Sequence, residues 1–324
     1  RPAAGNCGVM VMNWNMILYT VLNTAFVLLF APLLVSLIKK VKAMCQGRRG
    51  TPLLQTYFQL FKLFKKEIIY SDNSSFIMRI SPYLNIAFLL VASIFIPIVF
   101  IPAQESGFGN IILFLYLMVC ARFFMALSGL DAGSTFGGMG SSREMTIASI
   151  IEPTTLMACA AIAFILKTTN IPEMFGTVLD GSILQYPTLF LVPSSLFIIL
   201  IVETARVPVD NPETHLELTM VHEAMILEQS GPKLALMELS YGIKQLILMA
   251  LLINILFPWG MATDATAAGI LISIASFIVK ALILAVVMGV FESFFAKIRF
   301  FRLPDFFMIA FFLSFATIVF ELLS

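Results

Sequence analysis

Between the apolar runs 187-PTLFLVPSSLFIILIV-202 and 236-LMELSYGIKQLILMALLINIL-256 the chain reads 203-ETARVPVDNPETHLELTMVHEAMILEQSG-231. That middle stretch carries six of the nineteen carboxylates (Glu203, Asp210, Glu213, Glu217, Glu223, Glu228), both histidines (His215, His222) and a single basic residue, Arg206. Asn211 suits a helix start, Pro212 the first helical position and Gly231 a stop, so the pattern predicts a helix over 212–229. At about 100° per residue Glu213, Glu217 and Glu228 fall within about 60° of one another, with Ala224 among them and Met220 beside them. His215 and His222 share the opposite side. A carboxylate stripe beside a membrane fits a proton path; the same residues fit a solvated acidic loop, and spacing alone favours neither.

The rest of the chain sets the class. Hydrophobic residues make up 60% of it, charged residues 12%, and the mean hydropathy is +0.97. That composition describes a polytopic membrane protein, and a net charge of +1 gives no general attraction to nucleic acid. Cys7, Cys45, Cys120 and Cys159 are scattered, which argues against an iron–sulfur cluster, a zinc site or a disulfide framework in this chain. Neither a phosphate-binding glycine loop nor a Ser-His-Asp constellation is evident. Eight stretches suffice to cross about 30 Å of hydrocarbon. They are 16–38, 84–101, 111–130, 145–166, 187–202 (short, with room to begin earlier), 236–256, 265–291 and 304–323. The expected fold is an all-α integral membrane protein of about eight transmembrane helices, one domain over 1–324, with an additional amphipathic helix at the interface.

Basic residues orient it. Lys39, Lys40, Lys42, Arg48, Arg49, Lys62, Lys65, Lys66 and Arg79 fall between the first two spans, and Lys297, Arg299 and Arg302 between the last two. The positive-inside rule puts these connections in the cytoplasm of a cell inner membrane, both termini outside, and the acidic stretch inside. Within the first connection Leu53, Leu54, Tyr57, Phe58, Phe61 and Phe64 recur at helical spacing, the mark of a helix lying in the interface. Arg122, Glu152, Glu238, Lys244 and Lys280 sit inside spans. Each costs roughly 2.5–3.5 kcal/mol at a helix centre, so such groups face the bundle interior and pair or work. Glycines at 129, 133, 137, 138 and 140 suggest an irregular loop over 129–144, on the same side as the acidic stretch.

The pattern Glu203-x2-Arg206-x-Pro208-x-Asp210-x2-Glu213-x3-Glu217-Leu218, with Glu228-x-Ser230-Gly231, resembles the quinone-site membrane subunit of respiratory complex I. So does Arg48-Arg49-Gly50-x-Pro52. Arg122-Phe123-Phe124, Ser128-Gly129-Leu130-Asp131, Ser142-Arg143-Glu144, Glu152-Pro153 and DNPETHLEL at 210–218 resemble a sister group more closely. That group is the membrane anchor subunits of energy-converting nickel–iron hydrogenases, including formate hydrogenlyase and hydrogenase-4. The resemblance spans about residues 30–260. It implies a subunit that catalyses nothing alone and binds no metal, with 4Fe–4S clusters and a nickel–iron centre in its partners. Those partners are hydrophilic large and small hydrogenase subunits, a ferredoxin-like iron–sulfur subunit and antiporter-like membrane subunits. It places ion coupling on Glu203, Asp210, Glu213, Glu217 and Glu228, balanced by Arg206. Glu144, Glu152, Glu223, His215, His222 and Lys280 are further candidates, and Arg48, Arg49, Asp131 and Arg143 are candidates for subunit docking. His215 stands where complex I has an acid, and about three extra residues precede the Glu228 corner; both suggest a remodelled quinone site. The alternatives are a quinone-binding subunit of a complex I relative and a free-standing carrier, the latter disfavoured because an inverted repeat is not evident.

Overall fold

The computed structural model describes residues 14–71, 73–102, 109–180, 188, 191–210, 220–263 and 266–323. Among these, seven helices are long and apolar enough to cross a membrane: α1 (Trp14–Cys45), α3 (Phe76–Phe95), α4 (Ile111–Asp131), α5 (Thr135–Leu166), α9 (Gly231–Leu256), α10 (Ala267–Phe294) and the segment Phe300–Leu323, which contains α11 (Leu303–Leu323). Where the fifth span was expected there is a shorter apolar helix, α7 (Leu191–Glu203). Three short helices complete the set: α2 (Gln55–Phe64), α6 (Ile171–Asp180) and α8 (His222–Ile226).

α9 is the central helix, buried on most of its circumference, while α10 and α11 expose long apolar faces. α3 packs on α4 and α9, α1 on α9 and α10, and α11 on α5 and α7. Contacts sort the connections onto two ends. At one end Asp131 accepts from the N–H groups of Ser75 (3.0 Å) and Met78 (2.9 Å), capping α3. There too Ser230 Oγ accepts from Ile69 N and donates to Ile69 O, both at 2.7 Å. At the other end Asn110 bridges Asn170, Ile101 N donates to Ala262 O (2.9 Å) and Thr188 donates to Glu321 (2.8 Å).

Several expectations are corrected. The second span ends as a helix at Phe95; residues 96–102 continue as buried irregular chain broken by Pro97. Backbone of that kind needs partners inside the protein. Asn23 supplies them to Ser93 O (2.8 Å), Ile96 O (3.2 Å) and Ile98 N (3.2 Å), Asn254 to Pro97 O (2.8 Å) and Ser273 to Ile98 O (3.2 Å). The glycine-rich stretch 129–144 is helical except at 132–134; Gly129, Gly137 and Gly140 serve close packing, Gly133 makes the turn at φ +65°, and Gly138 meets nothing within 4 Å. A Cβ on Gly140 would lie 2.8 Å from Ala224 Cβ and 3.0 Å from Val221 O, so only glycine lets α5 meet α8 at this distance. The helix expected over 212–229 lies partly outside the described residues; within them only His222–Ile226 is helical. Gly231, expected as a stop, opens α9 instead at φ +53°, where a side chain would strike the backbone oxygens of Lys66 and Glu67. α2 lies as an interfacial helix should, with Leu60 and Leu63 turned onto Ala235 of α9 and Phe58, Phe61 and Phe64 turned outward.

Candidate functional site: a buried chain of ion pairs

The buried side of α4 repeats at three and four residues, through Ile111, Phe114, Met118, Ala121, Arg122 and Met125, so it carries Arg122 into the bundle. An unpaired guanidinium there would be costly, and three carboxylates surround it. Its Nε lies 3.7 Å from Glu144, its Nη1 donates to Glu152 at 3.0 Å, and its Nη2 donates to Glu203. Glu144 and Glu152 stand two turns apart on α5; Glu203 ends α7. Lys244 of α9 reaches the same Glu203 at 2.8 Å. Three acids thus face two bases. The Glu203 side chain is 5% exposed and that of Glu152 39%, so the cluster is closed at one carboxylate and open at another.

Next to Lys244 along α9, Gln245 accepts from Arg206 Nη2 at 2.7 Å. Arg206 Nη1 donates to Glu292 of α10 at 2.7 Å, and Glu292 also meets Lys42 of α1 at 3.4 Å. Arg206 reaches this place because the chain turns sharply after α7: Ala205 has φ +43°, and Arg206 N donates back to Ile201 O at 3.0 Å. Four residues on, Asp210 pairs with Lys297 at 2.7 Å and accepts from the N–H groups of Val221 (3.0 Å) and His222 (3.4 Å). Charged groups therefore run from α4 and α5, past α7 and α9, to α10, α1 and the α10–α11 connection.

Beside this chain lies a cavity of about 250 Å³ between α1, α2, α8 and α9. Lys39, Gln59, Arg206, His222, Glu223, Glu238 and Tyr241 line it together with apolar Pro32, Val35 and Leu60. Gln59 donates to both Glu238 oxygens (2.9 and 3.0 Å), and Tyr241 donates to Thr204 O (2.7 Å) under the His222 ring, 5.1 Å away centre to centre. Burial holds the His222 imidazole below its ordinary value although Glu223 pulls it up, and burial holds Glu223 above the usual carboxylate range although His222 pulls it down.

Of the sequence candidates, the structure gathers Glu144, Glu152, Glu203, Arg206, Asp210, His222 and Glu223 along this chain and cavity. Glu228 is exposed just past α8. Lys280 stands at the opposite end, donating to Phe257 O at 2.8 Å and to Trp259 O, where it caps α9. Asp131 caps α3, Arg143 donates to Met220 O at 3.2 Å, and Arg48 and Arg49 are exposed after α1. Glu213, His215 and Glu217 lie outside the described residues. Sequence reasoning missed Glu292 and Gln245 and read Lys42 and Lys297 as loop charges. Among the described residues, no group of three or more His, Cys, Asp or Glu is placed to hold a metal ion.

A helical bundle with buried ion-pair clusters gathered around one central helix defines a multi-pass membrane protein built around buried ionisable groups. The profile described as NADH dehydrogenase matches residues 17–322, and the chain belongs to that family. It is 30% identical over 283 residues to formate hydrogenlyase subunit 4 of Escherichia coli (strain K12), covering 87% of this chain and 91% of that one. It is equally 30% identical over 285 residues to hydrogenase-4 component C of the same organism, covering 88% and 89%. Its fold matches a chain of the membrane-bound sulfane sulfur reductase, an archaeal respiratory membrane complex, with TM-score 0.78 at 17% identity over 93% of this chain and 99% of that one.

Proposed function

We propose that the chain is the membrane subunit of an energy-converting nickel–iron hydrogenase, anchoring the hydrophilic redox arm and linking electron transfer to ion movement. Its relatives in formate hydrogenlyase and hydrogenase-4 point to that class of complex. The observation that carries the coupling role is the junction at Lys244-Gln245. There Lys244 holds Glu203 of the Arg122–Glu144–Glu152–Glu203 cluster and the next residue, Gln245, holds Arg206 of the Arg206–Glu292–Lys42 cluster, so one helix carries both clusters side by side. Carboxylates gathered on one guanidinium in low dielectric interact electrostatically, and a charge change at a partner's cluster shifts the balance among them. In this reading Arg48, Arg49, the α4–α5 turn and the 203–231 stretch face the cytoplasm and receive the hydrophilic subunits. 4Fe–4S clusters and the nickel–iron centre reside in those partners, and antiporter-like subunits lie alongside in the membrane.

The test compares Glu203→Gln and Glu152→Gln in membranes of matched complex abundance. Dye-linked hydrogenase activity of the detached arm is expected to survive, and gradient-linked activity to fall at least several-fold. Unchanged gradient-linked activity in both variants refutes coupling. Glu203→Gln also leaves Lys244 short of a partner, and breaking a buried pair costs roughly 3–5 kcal/mol. A collapse of both assays in that variant alone therefore reports assembly, and the more exposed Glu152 decides. The cavity with His222 and Tyr241 favours a second reading, a quinone-binding subunit; quinone without nickel in the purified complex would establish it over the first.

A further inference from the structure

The connection from α10 to α11 reads 294-FFAKIRFFR-302, and the coupling role leaves its outward side chains unused. Its inner side is fixed. Ile298 N donates to Pro208 O at 2.8 Å, Lys297 holds Asp210, and Phe300 packs against the core. Its outer side is a different surface. Phe301 is 92% exposed, Phe294 82% and Phe295 half-exposed, and Arg299 and Arg302 are both exposed. Arg302 N donates to Arg299 O at 2.8 Å, so the two guanidiniums leave the two ends of one closed turn. Among the described residues neither makes an ion pair, Asp305 in the first turn of α11 included.

The turn's depth follows from the helices it joins. α10 has 28 residues, about 42 Å at 1.5 Å each, against a hydrocarbon core of about 30 Å. The excess of about 12 Å is enough to carry its last residue, Phe294, out to headgroup depth. Below it the exposed faces of α10 (Ile283, Val286, Val287) and α11 (Met308, Ile309, Phe312) are apolar. Aromatic rings favour that depth, and guanidiniums bind phosphate oxygens through two parallel hydrogen bonds.

We propose that the 294–302 turn binds the headgroup of an anionic phospholipid, with Arg299 and Arg302 on its phosphate and Phe294, Phe295 and Phe301 against the glycerol and upper acyl chains. Charge and apolar surface together select this occupant. A free phosphate leaves three phenylalanines in water, and a neutral lipid leaves two guanidiniums without a net counter-charge.

The test places p-benzoylphenylalanine at position 301 of the full chain, in the assembled complex in native membranes. Irradiation is followed by mass spectrometry of the adducts. The expected adducts are phospholipids, with phosphatidylglycerol and cardiolipin enriched over their share of the membrane. Arg299→Gln and Arg302→Gln, at matched complex abundance, should lower that enrichment by about five-fold for each charge lost. Adducts to a polypeptide identify a protein interface and overturn the proposal. Lipid adducts at the bulk composition, or enrichment that survives both substitutions, overturn it as well. So does the absence of any adduct, because the position then does not touch the bilayer.

Discussion

His222 and Glu223 are neighbours whose folded environments push them in opposite directions, and each direction sets a pH window. His222 is held below 6.5, so the unfolded state binds its proton first; the stability it contributes is present above about 6.5 and lost as pH falls through the folded value. Glu223 is held above 4.5, so its contribution is present below about 4.5 and lost as pH rises through the folded value. In Glu223→Gln, where the imidazole of this pair titrates alone, amide-exchange protection of Ala224–Ile226, corrected for intrinsic rates, should fall on acidification below about 6.5. In His222→Gln, where only Glu223 remains, protection should instead fall as pH rises above about 4.5, and in the native chain the two effects oppose each other between those values. A protection profile identical in all three proteins would show that neither group is as buried as described. Individual residues were legible only where a motif or an apolar surrounding exposed them. Arg122 and Glu152 stood out as charges inside apolar runs, and the structure pairs them. Glu292 escaped because hydropathy ended its span at 291, one residue short, so a buried acid read as the start of a solvated connection. Gln245 carried no charge to notice, although it holds Arg206.

At the scale of elements, apolar length located the crossing helices and turn chemistry misplaced their ends. Hydropathy cannot see that Gly129, Gly137 and Gly140 are placed for contact between helices, so flexible backbone and close packing give the same sequence signal. The two roles separate by substitution. Gly140→Val puts a side chain where Ala224 and Val221 already lie and should destabilise the protein by about 1–3 kcal/mol. At Gly138 a Cβ meets nothing within 4 Å, and Gly138→Ala should be neutral or stabilising by up to about 1 kcal/mol, from helix propensity. Thermal unfolding of the purified complex measures both; equal effects would contradict the α5–α8 contact. Likewise Asn211 and Pro212 suggested one long helix ending at Gly231, whereas tertiary contact with Lys66 and Glu67 made Gly231 the opening of α9. Local pattern could not contain that, because its cause lies more than 160 residues earlier in the chain.

At the scale of the molecule, contacts put the connections holding Arg48, Ser75, Asp131, Ser230 and Lys297 on one end and those holding Asn110, Asn170 and Thr263 on the other. Single cysteines at Arg48 and Thr263 should thus be labelled by impermeant reagent from opposite faces of sealed vesicles, with Arg48 reached only from the cytoplasmic face. Labelling of both from one face contradicts the arrangement. Arg48→Glu with Arg49→Glu should release the hydrophilic arm from membranes, read as hydrogenase activity moving to the soluble fraction. Full retention removes the two arginines from the docking surface.

The irregular segment 96–102 also sets an order of events during synthesis. Asn23 precedes it, but Asn254 and Ser273, which donate to the Pro97 and Ile98 carbonyls, follow by 157 and 175 residues. At about 5–20 residues per second, the ribosome supplies them roughly eight to thirty-five seconds later. Until then the carbonyls of Pro97 and Ile98 lack the partners they have in the folded protein. The first half of the molecule must wait, with water, lipid headgroups or an insertion factor standing in for helices not yet made.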